Sequence, residues 1–154
     1  MAQWERERPD LDVSPQGVIA RLHRIALRLT DELVAVYAEH GLNEGEFDIL
    51  ATLRRQGAPY ALTPSQLAAQ TMVTSGAITK RVDRCITRGW AMRTARDEDG
   101  RGRSITLTEA GRALIDAAFT DHIANEHRLL ASFTARERGT LAKLLQGWAE
   151  ELGV

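Results

Sequence analysis

The feature that most constrains the fold is a pair of short helices joined by a tight turn. Thr63-Pro64-Ser65-Gln66 combines an N-cap residue, a proline at the first helical position and a glutamine three residues after the cap, and so predicts a helix start. After a brief turn, Thr74 caps a second helix, which has apolar residues on one face and ends at Gly89. Two short helices in this order, the second of them basic, predict a helix-turn-helix.

The spacing of apolar residues changes from a helical to a strand-like period after Gly89. Residues 90–96 and 104–107 can pair as strands around Asp99-Gly100, which is a strong signal for a hairpin turn. A two-stranded hairpin that follows a recognition helix is a wing. We therefore predict a winged helix-turn-helix over residues 41–108.

Amphipathic helices flank this segment on both sides. Ser14-Pro15 predicts the start of a long helix that ends at Gly41, and Asn43 with Glu46 predicts the start of a shorter one. Thr108 caps a further helix, and a capping box at Thr134 starts the last one. The apolar stripes of the first and last helices are Val18, Leu22, Ile25, Leu29, Leu33 and Val36, and Leu141, Leu144, Leu145, Trp148 and Leu152.

These stripes exceed what one winged helix can cover. We predict a mainly α fold (α+β) that forms one domain over residues 1–154. Within it, residues 1–40 and 109–154 form a helical homodimerisation bundle around the DNA-binding region 41–108. The protein is expected to be a homodimer that places two recognition helices in successive major grooves.

Composition excludes several other classes of protein. The chain is 44% apolar and 27% charged, as soluble globular proteins are. Its single cysteine excludes an internal disulfide and a thiolate metal cluster, and is compatible with a reducing cytoplasm. The first residues lack the apolar region of a signal peptide, and no stretch approaches about 18 uninterrupted apolar residues. We expect a cytoplasmic protein without membrane association.

The distribution of charge is more informative than the net charge of −1. Residues 74–103 hold eight basic and four acidic residues, whereas the rest of the chain holds twelve basic and seventeen acidic ones. A basic island on an acidic body is typical of a nucleic-acid-binding element. The alternative from charge alone is a solvated helix face of mixed charge.

The helix after Thr74 is predicted to read double-stranded DNA with the face opposite its apolar residues. Small residues at its start allow close approach to base edges, and longer side chains further along reach bases or phosphates. At the wing tip, the glycines on both sides of Arg101 present a guanidinium suited to a minor groove. A solvated turn is the alternative. The predicted DNA contacts are Ser75, Gly76, Thr79, Lys80, Arg84, Arg101 and Arg103.

Several runs of sequence resemble the MarR family of transcriptional regulators. They are Leu62-Thr-Pro-Ser-Gln-Leu-Ala-Ala, Val73-Thr-Ser-Gly-Ala-Ile-Thr-Lys-Arg-Val-Asp-Arg, Gly89, Arg93, Asp99-Gly-Arg and Leu107-Thr-Glu-Ala-Gly, within a resemblance that spans about residues 16–152. The resemblance implies a homodimeric repressor on a pseudo-palindromic operator, released by a small anionic or phenolic ligand. Cys85 departs from the leucine usual in the family, and Trp90-Ala91 departs from two aliphatic residues.

Four residues resemble the PecS-like, urate-responsive branch of that family: Trp4, Asp48, Arg81 and Arg93. In that branch, a tryptophan on an added N-terminal helix, an aspartate and two arginines form the ligand pocket. Two arginines offer paired donors to a planar anion, and tryptophan offers a stacking face. The N-terminal residues also resemble members that respond to aconitate or citrate, so the anion stays open between these, urate and an aromatic acid. Alternatively, Asp48 and Arg93 form a structural ion pair and Trp4 only covers the bundle.

Other chemistry has little support in the sequence. Cys85 could sense oxidants, but its register places it inward, where a thiol is normally inert. His122 and His127 are five residues apart and share no helix face, so no metal site is predicted. The sequence holds neither a nucleophile–base–acid set nor a phosphate-binding loop, so we predict no enzyme and no cofactor. The alternative function is that of an architectural DNA-binding protein without an effector.

Overall fold

A computed structural model describes residues 2–71, 75–95 and 103–153. The elements follow one another as α1 (Ala2–Glu7), α2 (Gln16–Glu39), α3 (Glu44–Arg55), β1 (Ala61–Leu62), α4 (Pro64–Gln70), α5 (Ser75–Thr87), β2 (Ala91–Ala95), β3 (Arg103–Leu107), α6 (Glu109–Leu129) and α7 (Ala135–Leu152). The predicted fold class is confirmed, since the chain is mainly helical with one small sheet. None of the helices in these ranges is long and apolar enough to cross a membrane.

Most of the predicted helix starts are confirmed by their hydrogen bonds. Asn43, Thr63 and Thr134 each accept a bond from the backbone N–H three residues on, and Glu46, Gln66 and Glu137 complete the three capping boxes. The start of α2 differs from prediction. Pro15 is the N-cap residue without a side-chain cap, while the backbone N–H of Ser14 donates to Asp12 Oδ1 over 2.9 Å. Thr74, the predicted cap of α5, lies outside the described residues.

The wing is part of a sheet of three strands rather than a hairpin alone. β3 lies in the middle and pairs antiparallel with β2 and with the two-residue strand β1, which sequence patterning did not predict. On one face, the hydroxyls of Thr94 and Thr106 are hydrogen-bonded across the strands at 2.9 Å. Through β1, the wing is attached to the start of the helix-turn-helix.

The link between the wing and α6 explains the Thr-Glu-Ala-Gly run. The Thr108 hydroxyl donates to the carbonyl of Gly89 over 2.7 Å and accepts the N–H of Gly111. Gly111 packs directly on the backbone, because a Cβ atom there would lie 1.9 Å from the carbonyl oxygen of Trp90. A glycine is therefore required where the first turn of α6 packs against the backbone of Trp90, just before β2.

The hydrophobic core lies within the winged-helix region. Its largest fully buried apolar side chains come from α3, α4, β3 and α6, namely Ile49, Leu50, Leu53, Leu67, Ile105 and Ile115. Neither α1 nor α7 contributes a buried residue, and α2 contributes only Tyr37. The core therefore supports the surfaces of α5 and the wing.

Candidate DNA-binding and effector site

The recognition helix α5 is held by a buried apolar face. Ile78, Val82 and Cys85 are each no more than 3% exposed and belong to the core cluster. Thr79 and Lys80, which were predicted to contact DNA, are exposed. Ser75 and Gly76 fall in the first turn of α5. This arrangement leaves donors of α5 free to face a ligand outside the protein.

The wing carries the second predicted group of DNA contacts. Arg103 is exposed at the first position of β3, where it pairs with Ala95 of β2. Arg101 and the turn around it lie outside the described residues. The structure thus places Arg103 where β3 begins.

Two of the four predicted effector residues lie near each other. Arg81 of α5 extends over the first turn of α3, so that a Cβ atom at Gly45 would lie 2.7 Å from its Cδ and Nε atoms. Asp48 lies one turn further along α3 and is partly buried. Burial raises the pKa of the Asp48 carboxyl, and the positive charges of Arg55 and Arg81 act in the opposite direction. An anion at this position would meet a guanidinium and a carboxyl whose charge is disfavoured.

The other two predicted effector residues lie elsewhere. The guanidinium of Arg93, on β2, forms an ion pair with Asp83 on the exposed side of α5. Trp4, on α1, is 53% exposed, and its side chain makes no hydrogen bond or aromatic contact with the described residues. The structure therefore brings Asp48 and Arg81 together but does not assemble all four residues.

Arg84, predicted as a DNA contact, lies against the start of α3. Its Nη2 atom donates to Asn43 Oδ1 over 3.3 Å, and its Nε atom lies 3.6 Å from Glu46 Oε1. One turn later, Arg88 donates to the carbonyl of Gly41 over 3.4 Å. Sequence reasoning missed these contacts, because they join residues 38 to 47 positions apart in the chain.

A groove between α3 and α6 was also not predicted. It has a volume of about 280 Å³. On its rim, Nε of Arg54 donates to Oδ1 of Asp116 over 2.7 Å, and the guanidinium of Arg55 donates to the carbonyl of Gln70 over 2.7 Å. Its lining residues are Ala51, Arg54, Arg55, Ile115, Asp116 and Phe119.

Comparison with known proteins identifies the family. A model of the MarR family matches residues 40–102, which span α3 to the wing. The transcriptional regulator PecS of Dickeya dadantii is 43% identical over 143 residues, which cover 93% of this chain and 86% of PecS. The chain belongs to the MarR family. The identity to PecS supports the PecS-like branch that Trp4, Asp48, Arg81 and Arg93 had indicated.

Solved structures of MarR-family regulators have the same fold. AbsC of Streptomyces coelicolor superposes with a TM-score of 0.82 at 23% identity, covering 92% of this chain and 96% of AbsC. A mutant MarR of Escherichia coli, complexed with operator DNA, gives a TM-score of 0.74 at 25% identity, covering 89% of this chain and 98% of that one. Family and fold are thus those of a winged-helix transcriptional regulator that binds DNA.

Cys85 was one of the two departures from the family pattern noted in the sequence. The thiol is fully buried, and burial raises its pKa to about 12. Since the thiolate is the reactive form, the predicted inert, inward-facing role agrees with this environment. Among the described residues, no group of three His, Cys, Asp or Glu side chains could hold a metal ion.

Proposed function

We propose that this MarR-family protein is a homodimeric repressor that binds a pseudo-palindromic operator and is released by a small anionic ligand. The observation that carries the DNA-binding part is the exposure of Thr79 and Lys80 on a helix whose opposite face is anchored in the core. The proposed surface extends to Arg103, which is exposed at the start of β3, and to Arg101 and the first residues of α5. The complex of Escherichia coli MarR with operator DNA supports this use of the fold.

The exposed apolar residues of the long helices support a dimer. In α2, Val18 and Ile25, which lie on one face, are 59% and 52% exposed. In α7, Leu144 and Leu152 are 68% and 63% exposed. A second copy that covers these faces would place two recognition helices on one side of the DNA, at half-sites about one helical turn apart.

DNA binding is tested with an operator selected by the protein from a random duplex pool. Lys80→Ala should weaken binding and reduce the slope of log K against log salt by about one, because one phosphate contact is lost. Arg101→Ala should cost about 1–3 kcal/mol if the wing tip reaches the minor groove. Lys143→Ala, which removes the one other lysine of the chain from exposed α7, is the matched control. Unchanged affinity in both test variants would refute the assigned surface.

Arg81 and Asp48 support the effector part of the proposal. Their proximity couples an anion-binding group to the recognition helix itself, because Arg81 belongs to α5. An anion releases the operator only if it binds the DNA-free form more tightly than the DNA-bound form. Closure of Trp4 and Arg93 over the same anion would supply the difference between the two forms. Urate is the first candidate, and citrate, aconitate and aromatic acids are the alternatives.

The effector part is tested by titrating urate and citrate into operator complexes of the wild type and of Arg93→Ala. Loss of Arg93 should abolish ligand-induced release and spare operator binding. Arg112→Ala removes an arginine from another exposed ion pair, with Glu109, and should respond like the wild type. Release of both proteins at the same ligand concentration would place the pocket elsewhere. If urate, citrate and an aromatic acid all fail to release DNA and to raise the Tm of the protein, the alternative role of an architectural DNA-binding protein is favoured.

A further inference from the structure

Two arginines of α5 and the arginine that directly follows this helix lie on one helical face and contact one short segment of chain. Arg81, Arg84 and Arg88 are spaced by three and four residues, which places them on successive turns of the same face. Each of them contacts at least one residue within the segment 41–46. We refer to these three residues as the arginine stripe.

The central contact of the stripe involves a buried carboxylate. The side chain of Glu46 is 3% exposed, and its Oε2 atom accepts the backbone N–H of Asn43 over 3.0 Å. Asn43 Oδ1 accepts both the N–H of Glu46 and the guanidinium of Arg84. Arg84 is therefore the third member of the capping box of α3, and it supplies positive charge to a carboxylate that has lost most of its water.

The two ends of the stripe fit the same segment closely. At one end, Arg81 occupies the space that a Cβ atom at Gly45 would fill. At the other end, Arg88 contacts the carbonyl of Gly41, and its guanidinium lies 5.0 Å from the centre of the Trp90 ring. Residues 41–46 directly follow α2, which ends at Glu39. The stripe thus connects the recognition helix to the start of α3 and to the turn that follows α2, the long helix that we assign to the dimer.

We propose that the arginine stripe is a clamp that fixes the angle between α5 and α2, and that Arg84 acts as a positioning residue instead of a DNA contact. This inference rests on the proposed function, since the angle sets the separation of the two recognition helices in a dimer. Arg81 belongs both to the clamp and to the proposed effector site. A ligand that draws Arg81 away from Gly45 therefore opens the clamp at one end.

The first test measures the angle without DNA. Cysteines for spin labels are introduced at Asp31 of α2 and Thr87 of α5, which are both exposed. The labels report the distance between the two helices. Dilution with unlabelled protein restricts the measurement to distances within one chain. Buried Cys85 leaves the background unlabelled. Glu46→Gln and Arg84→Gln should each broaden or shift this distance, and Arg112→Gln should leave it unchanged. A distance unaffected by both clamp variants would overturn the proposal.

The second test separates positioning from phosphate contact. Glu46→Gln and Arg84→Gln should each weaken operator binding by about tenfold. The double variant should bind the operator as tightly as the single variant with the lower affinity, because both substitutions break the same contact. Glu46→Gln should keep the wild-type salt slope. Arg84→Lys keeps the charge but cannot bridge Asn43 and Glu46, so the clamp predicts weak binding and a phosphate contact predicts normal binding. Normal binding by both Arg84→Lys and Glu46→Gln would refute the clamp.

Failure of the proposed function gives a different result. A wild-type protein that selects no DNA would refute the operator proposal, while the spin-label distances would still decide whether the clamp exists. If Glu46→Gln does not fold, as shown by circular dichroism, Arg84→Lys and Arg84→Gln still answer both tests. The operator proposal and the clamp can thus fail independently.

Discussion

Helices α3 and α7 differ in how much of their apolar surface is buried within the chain. Of the 12 residues of α3, seven are buried in the winged-helix core. Of the 18 residues of α7, none is buried, although its leucines form a regular stripe. A helix with an apolar stripe requires a partner surface, and within the described residues α3 has one in its own chain whereas α7 does not. The DNA-reading part is therefore built by one chain, and the terminal helices are suited to assembly.

The polar contacts also differ between the winged-helix region and the long helices. In the winged-helix region, Asn43, Glu46 and Arg84 bind one another around a buried carboxylate. Between the long helices, Glu32 of α2 pairs with Arg128 of α6, whose side chain is 61% exposed. Ion pairs of the second kind contribute little on their own. The orientation of the terminal helices should therefore depend on the partner copy more than on these pairs.

The largest effect on stability is expected from a cavity in the winged-helix core. Leu53→Ala, at a fully buried position of α3, should lower the free energy of unfolding by about 2–5 kcal/mol. Leu152→Ala, at a position of α7 that is 63% exposed, should change it by less than about 1 kcal/mol in the dilute protein. Urea unfolding at one fixed protein concentration measures both, since dimerisation makes stability depend on concentration. Equal losses in the two variants would contradict the division.

A charge on the stripe of α7 should have the next largest effect, on assembly instead of folding. Leu144→Asp buries a carboxylate if a second copy covers this face, and should raise the Kd of the dimer by at least 30-fold, about 2 kcal/mol. Gln146→Asp places the same charge on the other side of α7 and should not alter the Kd. Analytical ultracentrifugation measures both. A wild type that sediments as a monomer would refute the dimer.

Features that depend on neighbouring residues were predicted well from the sequence. Capping boxes at Asn43, Thr63 and Thr134 use residues three positions apart, so their spacing is visible in the chain. The paired strands of the wing were predictable for the same reason, because they lie close together in the sequence. β1 was missed, since two residues carry no period and its pairing with β3 spans more than 40 positions.

The site was less predictable than the fold. The family resemblance indicated Asp48 and Arg81, which lie near each other, but it could not show that Arg93 pairs with Asp83. The apolar face of α5 was readable from its periodicity, yet the partner of Arg84 was not. Long side chains reach several neighbours, and only the packing of α3 on α5 decides which neighbour an arginine binds.

The smallest expected effect is on Tm, and it is tested at one carboxyl group of the winged-helix region and one of the long helices. Burial raises the pKa of Asp48 above its ordinary value of 3.8, so ionisation of this carboxyl opposes folding. The stability of the protein therefore falls as the pH rises from 3.8 through the raised pKa of Asp48. Asp48→Asn should therefore raise Tm slightly at pH 7 and have no effect well below pH 3.8. The hydrogen bond from Arg128 lowers the pKa of Glu32 below 4.5, so its ionisation favours folding above that pH.

Glu32→Gln should accordingly lower Tm slightly at pH 7, and its effect should disappear as the pH falls below the lowered pKa of Glu32. The two variants each remove one negative charge but change stability in opposite directions, which separates local environment from net charge. Differential scanning calorimetry between pH 3 and pH 7 measures both. A decrease in Tm for Asp48→Asn at pH 7 would mean that attraction to Arg55 and Arg81 outweighs burial. In that case, the ionised carboxyl of Asp48 would hold α5 in place. Asp48 would then not be a carboxyl whose charge is disfavoured at the proposed anion site.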